Sequence, residues 1–149
     1  MRKIKFIAGE YYHIYNHGVE NRKIFLNNAD YRRFLISLII FNNEQSCVCN
    51  IPRFITRTTL SEKQSISDER DCLVDIIAFT LLSNHFHLFV REIEENGISR
   101  FMHRLCMGYS HYFNLKYKRI GTLWQGNFGA KHINEEPYFI HIISYQNHI

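Results

Sequence analysis

The sequence predicts an α+β fold of the ferredoxin-like kind, in which helices pack on one face of a small antiparallel sheet. Three observations predict it. A β-rich segment stands near the start of the chain, two further β-like runs follow each other after a short turn, and a long helix with one apolar face comes next. The 149 residues, 46% hydrophobic and 21% charged, are those of one globular domain with a sizeable core. We therefore treat residues 1–149 as a single domain.

The first half of the chain supplies one strand and one helix. Residues 11–16 read YYHIYN and predict a strand, and Gly18 in the turn that follows is expected to take a positive φ. Residues 30–41 place their apolar side chains on one face, which predicts a helix capped by Asn27 or Asn28. Residues 56–70 are rich in Ser, Thr and charge, so we expect a polar insert there, either a loop or an irregular hairpin.

The second half predicts a hairpin and two more helices. Residues 73–80 and 85–91 are β-like runs separated by four residues, so we expect them to pair as an antiparallel hairpin. Apolar residues at spacings of three and four from 98 to 113 predict the clearest helix of the chain, ending before Gly121. Residues 124–133 predict a strand or loop, and Pro137 precedes a last helical stretch over residues 138–145.

Composition excludes several classes of protein. No window approaches about 18 consecutive apolar residues, so neither a transmembrane helix nor a membrane partner is expected. No signal-type apolar core forms near the start, which predicts a cytoplasmic protein. The 4 Cys include no CxxC pair, so we expect buried thiols rather than a zinc cluster. Eighteen Lys and Arg against 14 Asp and Glu give a net charge of +4, which permits an anionic partner.

His85 and His87 lie two positions apart on the predicted third strand. Alternate side chains of a strand share a face, so both imidazoles point the same way while Phe86 points into the other layer. With Cα atoms roughly 6.5–7 Å apart, the two rings can converge on one cation. Two half-exposed polar positions on a strand would give the same pattern, so the spacing alone leaves both interpretations open.

The last helical stretch carries Tyr138, His141 and Tyr145. A tyrosine hydroxyl can act as a nucleophile in covalent catalysis. A single tyrosine near a chain end is more often a packing residue with a hydrogen-bonded hydroxyl. Position alone favours the packing role.

Several motifs, in order, resemble one family. Residues 12–25, YHIYNHGVENRKIF, resemble the opening signature of the REP-associated and insertion-sequence transposases of the single-tyrosine HUH class, which share the IS200-like transposase domain. Residues 78–90, AFTLLSNHFHLFV, resemble the HUH strand of that family, with Phe86 as the hydrophobic residue U. Residues 97–102, 112–119 and 121–126 follow in the order of the family. The resemblance extends over nearly the whole chain, from Tyr11 to Tyr145.

The resemblance implies a strand-transferase that acts on single-stranded DNA, often near hairpins. In such enzymes a tyrosine attacks the scissile phosphate, forms a 5′-phosphotyrosine and frees a 3′-OH. A second 3′-OH then reverses the reaction, and no nucleotide cofactor is needed. His85 and His87 match the metal-binding pair of the family and would hold Mg²⁺ or Mn²⁺, of which Mn²⁺ tolerates imidazole better. Tyr145 matches the nucleophile, carried on a C-terminal helix.

The match departs from the family pattern after Tyr145. The family has Ile and then Asn-Pro there, whereas this chain reads Gln146-Asn147-His148-Ile149. The third metal ligand of the family usually lies one turn beyond the tyrosine, and Ile149, four residues on, cannot bind a metal. His148 is the best-placed substitute, with Gln146 and Asn147 as alternatives. Many relatives continue past this point with a further helical segment, which leaves a truncation after Ile149 open.

Basic and aromatic residues would supply the DNA contacts that the resemblance implies. An ordinary solvated surface explains any one of the basic residues, but as a set around the sheet they suit phosphate contacts along a single strand. Trp124 and Phe128 could stack on bases or belong to the core. Asn84 could orient the active-site loop by hydrogen bonding or cap a turn. The candidate basic residues are Arg22, Lys23, Arg100, Arg104, Lys116, Lys118, Arg119 and Lys131.

Two other function classes stay open at this point. A domesticated, catalytically silent module would bind hairpin DNA or RNA through the same sheet, and an intact polar third ligand would favour the enzyme over it. A small structural metal protein is disfavoured, because two His without a nearby Cys cannot complete a four-ligand shell. The sequence does not decide between a monomer and a homodimer.

Overall fold

The computed structural model describes residues 4–43 and 72–134. The predicted insert at residues 56–70 and the predicted helix at residues 138–145 lie outside these ranges. A short 3-10 turn, Val19–Asn21, follows the first strand. The strands and helices are, in chain order, β1 (Tyr11–His17), α1 (Asn28–Ile40), β2 (Val74–Leu82), β3 (His85–Glu92), α2 (Gly97–Lys116) and β4 (Gly129–Ile133).

The four strands form one antiparallel sheet in the order β2-β3-β1-β4. Together with the β-α-β-β-α-β order of the elements, this is the ferredoxin-like arrangement, so the predicted α+β class is confirmed. In the central strand β1, Tyr15 lies opposite His87 of β3 on one side and Gly129 of β4 on the other. Because directly opposed residues point to the same face of a sheet, this register decides which side chains meet.

The core lies between the sheet and the two helices. Alternate residues of the central strands are buried on this face, among them Ile14 of β1 and Phe86 of β3. The ring of Phe86 contacts Phe34 of α1 and Trp124, with centroid distances of 5.0 and 5.4 Å. Helix α2 contributes a continuous buried stripe, which consists of Ile98, Phe101, Met102, Leu105, Tyr109 and Phe113. The opposite face of the sheet points away from both helices, and the histidines lie there.

The turn after β1 requires one correction. The predicted positive φ at Gly18 is wrong, because its φ is −63°, whereas Glu20 and Asn21 have φ values of 55° and 56°. Gly18 serves a close approach instead, since a Cβ there would overlap the carbonyl oxygen of Arg22. Glycine is therefore needed for space rather than for backbone conformation.

Asn42 fastens the end of α1 to the start of β2. Its Nδ2 donates to the carbonyl oxygen of Val74 at 2.8 Å, and its Oδ1 accepts from the backbone N–H groups of Leu73 and Val74 at 3.0 and 2.9 Å. These bonds are buried, where an amide without partners would cost free energy. One side chain thus joins residues 4–43 to residues 72–134, the two parts of the chain that the structure describes.

A buried carboxylate ties the start of α1 to the end of α2. Asp30 accepts from the hydroxyls of Tyr112 and Tyr117 at 2.8 and 2.6 Å, from Nζ of Lys116 at 2.8 Å and from the backbone N–H of Leu26 at 2.9 Å. Burial by itself would raise the pKa of Asp30, but these hydrogen bonds hold it below its ordinary value. The C-terminal end of α2 is therefore fixed beside α1. Asn27 caps α1, as predicted, with its Oδ1 accepting from the backbone N–H of Asp30.

The remaining expectations from composition concern membranes and thiols. Over residues 4–43 and 72–134, neither helix has the length and apolar character that crossing a membrane requires. Cys72 and Cys106 are free thiols that are half-buried, and desolvation raises the pKa of Cys106 to about 12, which keeps its thiol protonated and unreactive. Cys47 and Cys49 lie outside the described residues.

Candidate metal site and nucleic-acid interface

Histidines from two strands gather on the sheet face that points away from the helices. His13, Tyr15 and His17 alternate along β1, and β3 presents His85 opposite His17 and His87 opposite Tyr15. We call these five residues the histidine face. The rings of His85 and His87 have centroids 5.1 Å apart, while Phe86 between them is fully buried on the helix side. The two imidazoles therefore share a face, as their spacing predicts.

Each imidazole of this pair has its Nδ1 in a hydrogen bond. Nδ1 of His85 lies 2.6 Å from Oδ1 of Asn84, and because an amide oxygen only accepts, the imidazole N–H donates. Nδ1 of His87 lies 2.8 Å from Nε2 of His13. Nε2 is left as the second nitrogen of each ring, and metal-binding imidazoles usually have their other nitrogen held in this way. Asn84, in the β2–β3 turn, therefore contacts the first histidine of the pair, and its predicted role in orienting the site stays a prediction.

The surroundings of these rings favour the neutral form of imidazole. Burial lowers the pKa of His85 and of His87, and the positive charge of a neighbouring imidazole, His17 or His85 respectively, lowers each further. Burial also lowers the pKa of His13 to about 4, with His87 and Lys131 adding to the effect. A neutral imidazole keeps the lone pair that a metal ion needs. His85 and His87 can therefore supply two nitrogen ligands at neutral pH.

The described part of the site offers two metal ligands rather than a complete shell. Across residues 4–43 and 72–134, no three His, Cys, Asp or Glu side chains are grouped so that they could hold an ion. Two imidazoles whose Nδ1 atoms are held in hydrogen bonds fit an open metal site, in which water, phosphate oxygens or further protein ligands fill the other positions. The predicted residues of the last helix lie outside the described ranges, and they are Tyr138, His141, Tyr145, Gln146, Asn147 and His148.

His13 is a member of the site that the sequence-based prediction missed, and Tyr15 is a neighbour that packs against it. The ring of Tyr15 contacts His13 and His87, with centroid distances of 5.3 and 6.2 Å. It lies against Gly129 of β4, where a Cβ would overlap the tyrosine ring. The alternation of His13, Tyr15 and His17 along the first predicted strand was the available signal, because a period of two places them on one face.

The structure places four of the candidate basic residues near the end of the sheet where β3 begins. Two backbone hydrogen bonds attach the segment after β1 to the β2–β3 turn. The N–H of Gly18 donates to the carbonyl oxygen of Asn84, and the N–H of Ile24 donates to that of Ser83. That segment carries Arg22 and Lys23, and the guanidinium of Arg22 lies 5.8 Å from the ring centroid of Phe113 in α2. The other two follow the end of α2. We call this group the basic end: Arg22, Lys23, Lys118 and Arg119.

The other basic residues are placed differently. Arg100 pairs with Glu94 at 3.0 Å, and Arg104 donates to the carbonyl oxygen of Asn43 at 2.6 Å. Both are in the first half of α2, which starts at the far end of β3, where Glu92 accepts from the N–H of residue 98. Lys116 binds the buried Asp30, as described above. Lys131 is exposed on β4, opposite His13 and on the same face of the sheet.

Trp124 is a core residue, which corrects its candidate role in DNA contact. The residue is only 6% exposed, and its Nε1–H donates to the carbonyl oxygen of Cys106 at 2.9 Å. Its ring contacts that of Phe86 edge-on. The indole is packed on the helix side of the sheet, so it offers no open face to a base. Phe128 is half-buried and stacks on Phe6 with a centroid distance of 6.4 Å.

Comparisons with known proteins agree with this architecture. The family model described as "Transposase IS200 like" matches residues 55–148. No curated protein sequence matches significantly.

Two solved structures are similar in fold. A REP-associated tyrosine transposase bound to a REP hairpin has 15% sequence identity and a TM-score of 0.63, with 98% of this chain and 69% of that chain covered. A Deinococcus radiodurans R1 protein proposed to be a transposase has 12% identity and a TM-score of 0.52, with 97% of this chain and 95% of that chain covered. At these identities the likeness shows the fold.

Proposed function

Because the chain belongs to the family of IS200-like transposases, we propose that it cleaves and rejoins single-stranded DNA through a 5′-phosphotyrosine, with a divalent metal ion. The observation that carries the proposal is the pair His85 and His87, whose Nδ1 atoms are both held in hydrogen bonds while each Nε2 stays available. Two histidines that were merely polar positions on a strand would not need hydrogen bonds that hold Nδ1, whereas metal-binding histidines usually have such bonds.

The histidine pair would hold Mg²⁺ or Mn²⁺, and His148, Gln146 or Asn147 would complete the ligand set. A bound divalent ion supplies charge stabilisation at the scissile phosphate and at the departing 3′ oxygen. Asn84 orients His85 for this task through a 2.6 Å hydrogen bond. The neutral state of both imidazoles, which burial favours, keeps them ready to bind a cation.

Tyr145 is the proposed nucleophile. Its hydroxyl oxygen attacks the phosphorus and loses its proton, a P–O bond forms, and the bond from phosphorus to the 3′ oxygen breaks. The 3′ oxygen leaves and takes up a proton as a 3′-OH, while the 5′ side of the DNA stays on the tyrosine. Attack by another 3′-OH reverses these bond changes and frees Tyr145. One phosphoester replaces another in each step, so no nucleotide cofactor is consumed.

The basic end and Lys131 would contact the phosphates of the DNA. Lys131 lies on the same face of the sheet as the histidines, and the basic end lies at the end of the sheet where β3 begins with His85. Exposed Lys and Arg side chains neutralise phosphate charge along a single strand. The similar REP-associated transposase was solved with a REP hairpin, which supports hairpin-bearing DNA as the substrate class of this chain. We propose that the protein meets this DNA in the cytoplasm.

A catalytically silent module that binds hairpin DNA or RNA is the second candidate. The observation that favours it is Ile149, an apolar residue at the position where the family usually has its third metal ligand. Such a module would bind nucleic acid through the same basic residues but would not form a covalent link to it.

The two candidates are separated by incubating the protein with labelled single-stranded flanking DNA and Mn²⁺ and looking for a covalent adduct on a denaturing gel. The wild type should form the adduct, and Tyr145→Phe should bind DNA without forming it, because only the hydroxyl is lost. His85→Ala and His87→Ala should also lose it while remaining folded. Tyr138→Phe, about two helical turns earlier on the predicted helix, is the matched control and should keep it.

Three outcomes would change the assignment. If Tyr138→Phe removes the adduct and Tyr145→Phe does not, the nucleophile is Tyr138. If the wild type binds the DNA and forms no adduct with any divalent metal, the silent module is the better description. If the histidine variants keep the adduct, the metal site lies elsewhere.

A further inference from the structure

A third imidazole, that of His13, is in contact with the proposed ligand His87. Nε2 of His13 lies 2.8 Å from Nδ1 of His87, and the two rings stack with centroids 5.0 Å apart and planes inclined by 23°. His13 belongs to the central strand, where its register partners are Phe89 of β3 and Lys131 of β4. Pairing on both sides fixes its backbone, so the contact depends on the sheet itself.

Two ring nitrogens at this distance share one proton. If His87 carries it, Nδ1–H of His87 donates to Nε2 of His13, and Nε2 of a neutral His87 is unprotonated. If His13 carries it, Nε2–H of His13 donates to Nδ1 of His87, and a neutral His87 has its proton on Nε2. Only the first arrangement lets His87 bind a metal ion through Nε2.

The other nitrogen of His13 does not decide between the two arrangements. Nδ1 of His13 is buried and has no hydrogen-bond partner in the part of the chain that the structure describes. The hydrogen bond to His87 is therefore the contact that sets the tautomer of His13, and the two rings must change tautomer together. A metal ion at Nε2 of His87 would select the arrangement in which His13 accepts.

We infer that His13 is a positioning residue of the proposed metal site, which accepts the hydrogen bond from Nδ1–H of His87 and thereby presents Nε2 of His87 to the ion. The inference rests on the proposed function, because it requires His87 to be a ligand. Asn84 has the corresponding place at His85. The amide oxygen of Asn84 can only accept, whereas His13 can also donate. Whether Nε2 of His87 is free to bind the ion therefore depends on the tautomer of His13.

The inference is tested on the full chain by measuring Mn²⁺ affinity from the electron paramagnetic resonance signal of free Mn²⁺. His13→Phe keeps an aromatic ring and removes both nitrogens, and we expect the affinity to fall about 10- to 100-fold. His13→Gln provides an amide oxygen that can accept from His87, and it should recover part of the loss. Tyr15→Phe is the matched control, since it keeps the ring that contacts both histidines, and its affinity should stay within about twofold of the wild type.

A fourth variant, His87→Ala, separates the inference from the proposed function. If His87→Ala loses Mn²⁺ binding and folded His13→Phe keeps the wild-type affinity, the metal site stands and the role of His13 is wrong. If His87→Ala binds Mn²⁺ as the wild type does, the metal site itself is wrong and His13 has no ligand to position. A loss in Tyr15→Phe as large as in His13→Phe would assign the effect to ring packing and would also overturn the inference.

A measurement on the wild-type protein covers the case in which His13→Phe does not fold. Zn²⁺ is diamagnetic and binds imidazole well, so it serves as the probe ion for nuclear magnetic resonance. In protein labelled with ¹⁵N-histidine and saturated with Zn²⁺, long-range ¹H–¹⁵N spectra identify the protonated nitrogen of each ring. We expect Nδ1 of both His13 and His87 to carry the proton. A proton on Nε2 of His13 in that state would overturn the inference.

Discussion

Removal of single lysines should alter the salt dependence of DNA binding at some positions and not at others. Each phosphate contact on a single strand contributes about 0.7 to the slope of log affinity against log salt. Lys118 is exposed at the basic end, so Lys118→Ala should lower the slope by about 0.7. Lys116 lies two positions earlier, but its Nζ is 2.8 Å from Oδ1 of Asp30, a carboxylate with no solvent exposure. Lys116→Ala should leave the slope unchanged and lower the free energy of unfolding instead.

The expected size of the wild-type slope follows from the placement of the basic residues. Four exposed residues, Arg22, Lys23, Lys118 and Lys131, supply about four phosphate contacts, which corresponds to a slope of about −2.8 on a single strand. Arg119 is left out of this number because it is half-buried and donates to Asn114 and Thr122. The assay is fluorescence anisotropy with a labelled single-stranded oligonucleotide that carries a hairpin, titrated at several NaCl concentrations. Arg104→Ala is a second control, because Arg104 donates to the carbonyl oxygen of Asn43 at the far end of β3.

Two results would refute this reasoning. A flat salt response of the wild type would mean that the basic end is ordinary surface charge. A loss of slope in Lys116→Ala or Arg104→Ala equal to that in Lys118→Ala would mean that the intramolecular partners of these residues do not keep them from the DNA.

Three further predictions concern the site and the fold. Asp30→Asn removes a buried charge that accepts from Lys116, so urea unfolding should show a loss of about 1.5–3 kcal/mol. Because the pKa of Asp30 is lowered in the folded protein, its contribution is complete above the unfolded value of about 3.9 and is lost as pH falls through the lower folded value. Wild-type stability should therefore fall more steeply in acid than that of Asp30→Asn, and parallel pH profiles would contradict the assignment. Asn84→Ala removes the acceptor of His85, and calorimetry should show a fall in Mn²⁺ affinity of about 10- to 100-fold, whereas an unchanged affinity would show that His85 needs no orienting bond. Gly108→Ala places a methyl group in the ring of Phe41, so thermal unfolding should reveal a cost of about 1–3 kcal/mol, and a neutral effect would mean that the ring moves aside.

Sequence periodicity predicted the strands and helices well because each of them buries one face. The apolar residues from 98 to 113 became the buried stripe of α2, and the two β-like runs became the β2–β3 hairpin. The turn of that hairpin was predicted too long, because β2 continues to Leu82, which pairs with His85. A boundary of this kind depends on pairing with a neighbouring strand, which periodicity does not report.

The site was predicted only in part for the same reason. His85 and His87 are two positions apart, so the geometry of one strand was enough to place them together. The contact between His13 and His87 spans 74 positions and exists only because β1 pairs with β3. The bond between Asp30 and Lys116 spans 86 positions, so the sequence could not distinguish this lysine, which binds a buried carboxylate, from the lysines of the basic end.

The bonds of Asn42 to the start of β2 have a consequence for protein engineering. Because one buried side chain makes all three bonds, Asn42→Ala would leave two backbone N–H groups and one carbonyl oxygen of Leu73 and Val74 without this partner at once. Any design that alters the sequence between Asn43 and Cys72 should therefore leave Asn42 in place.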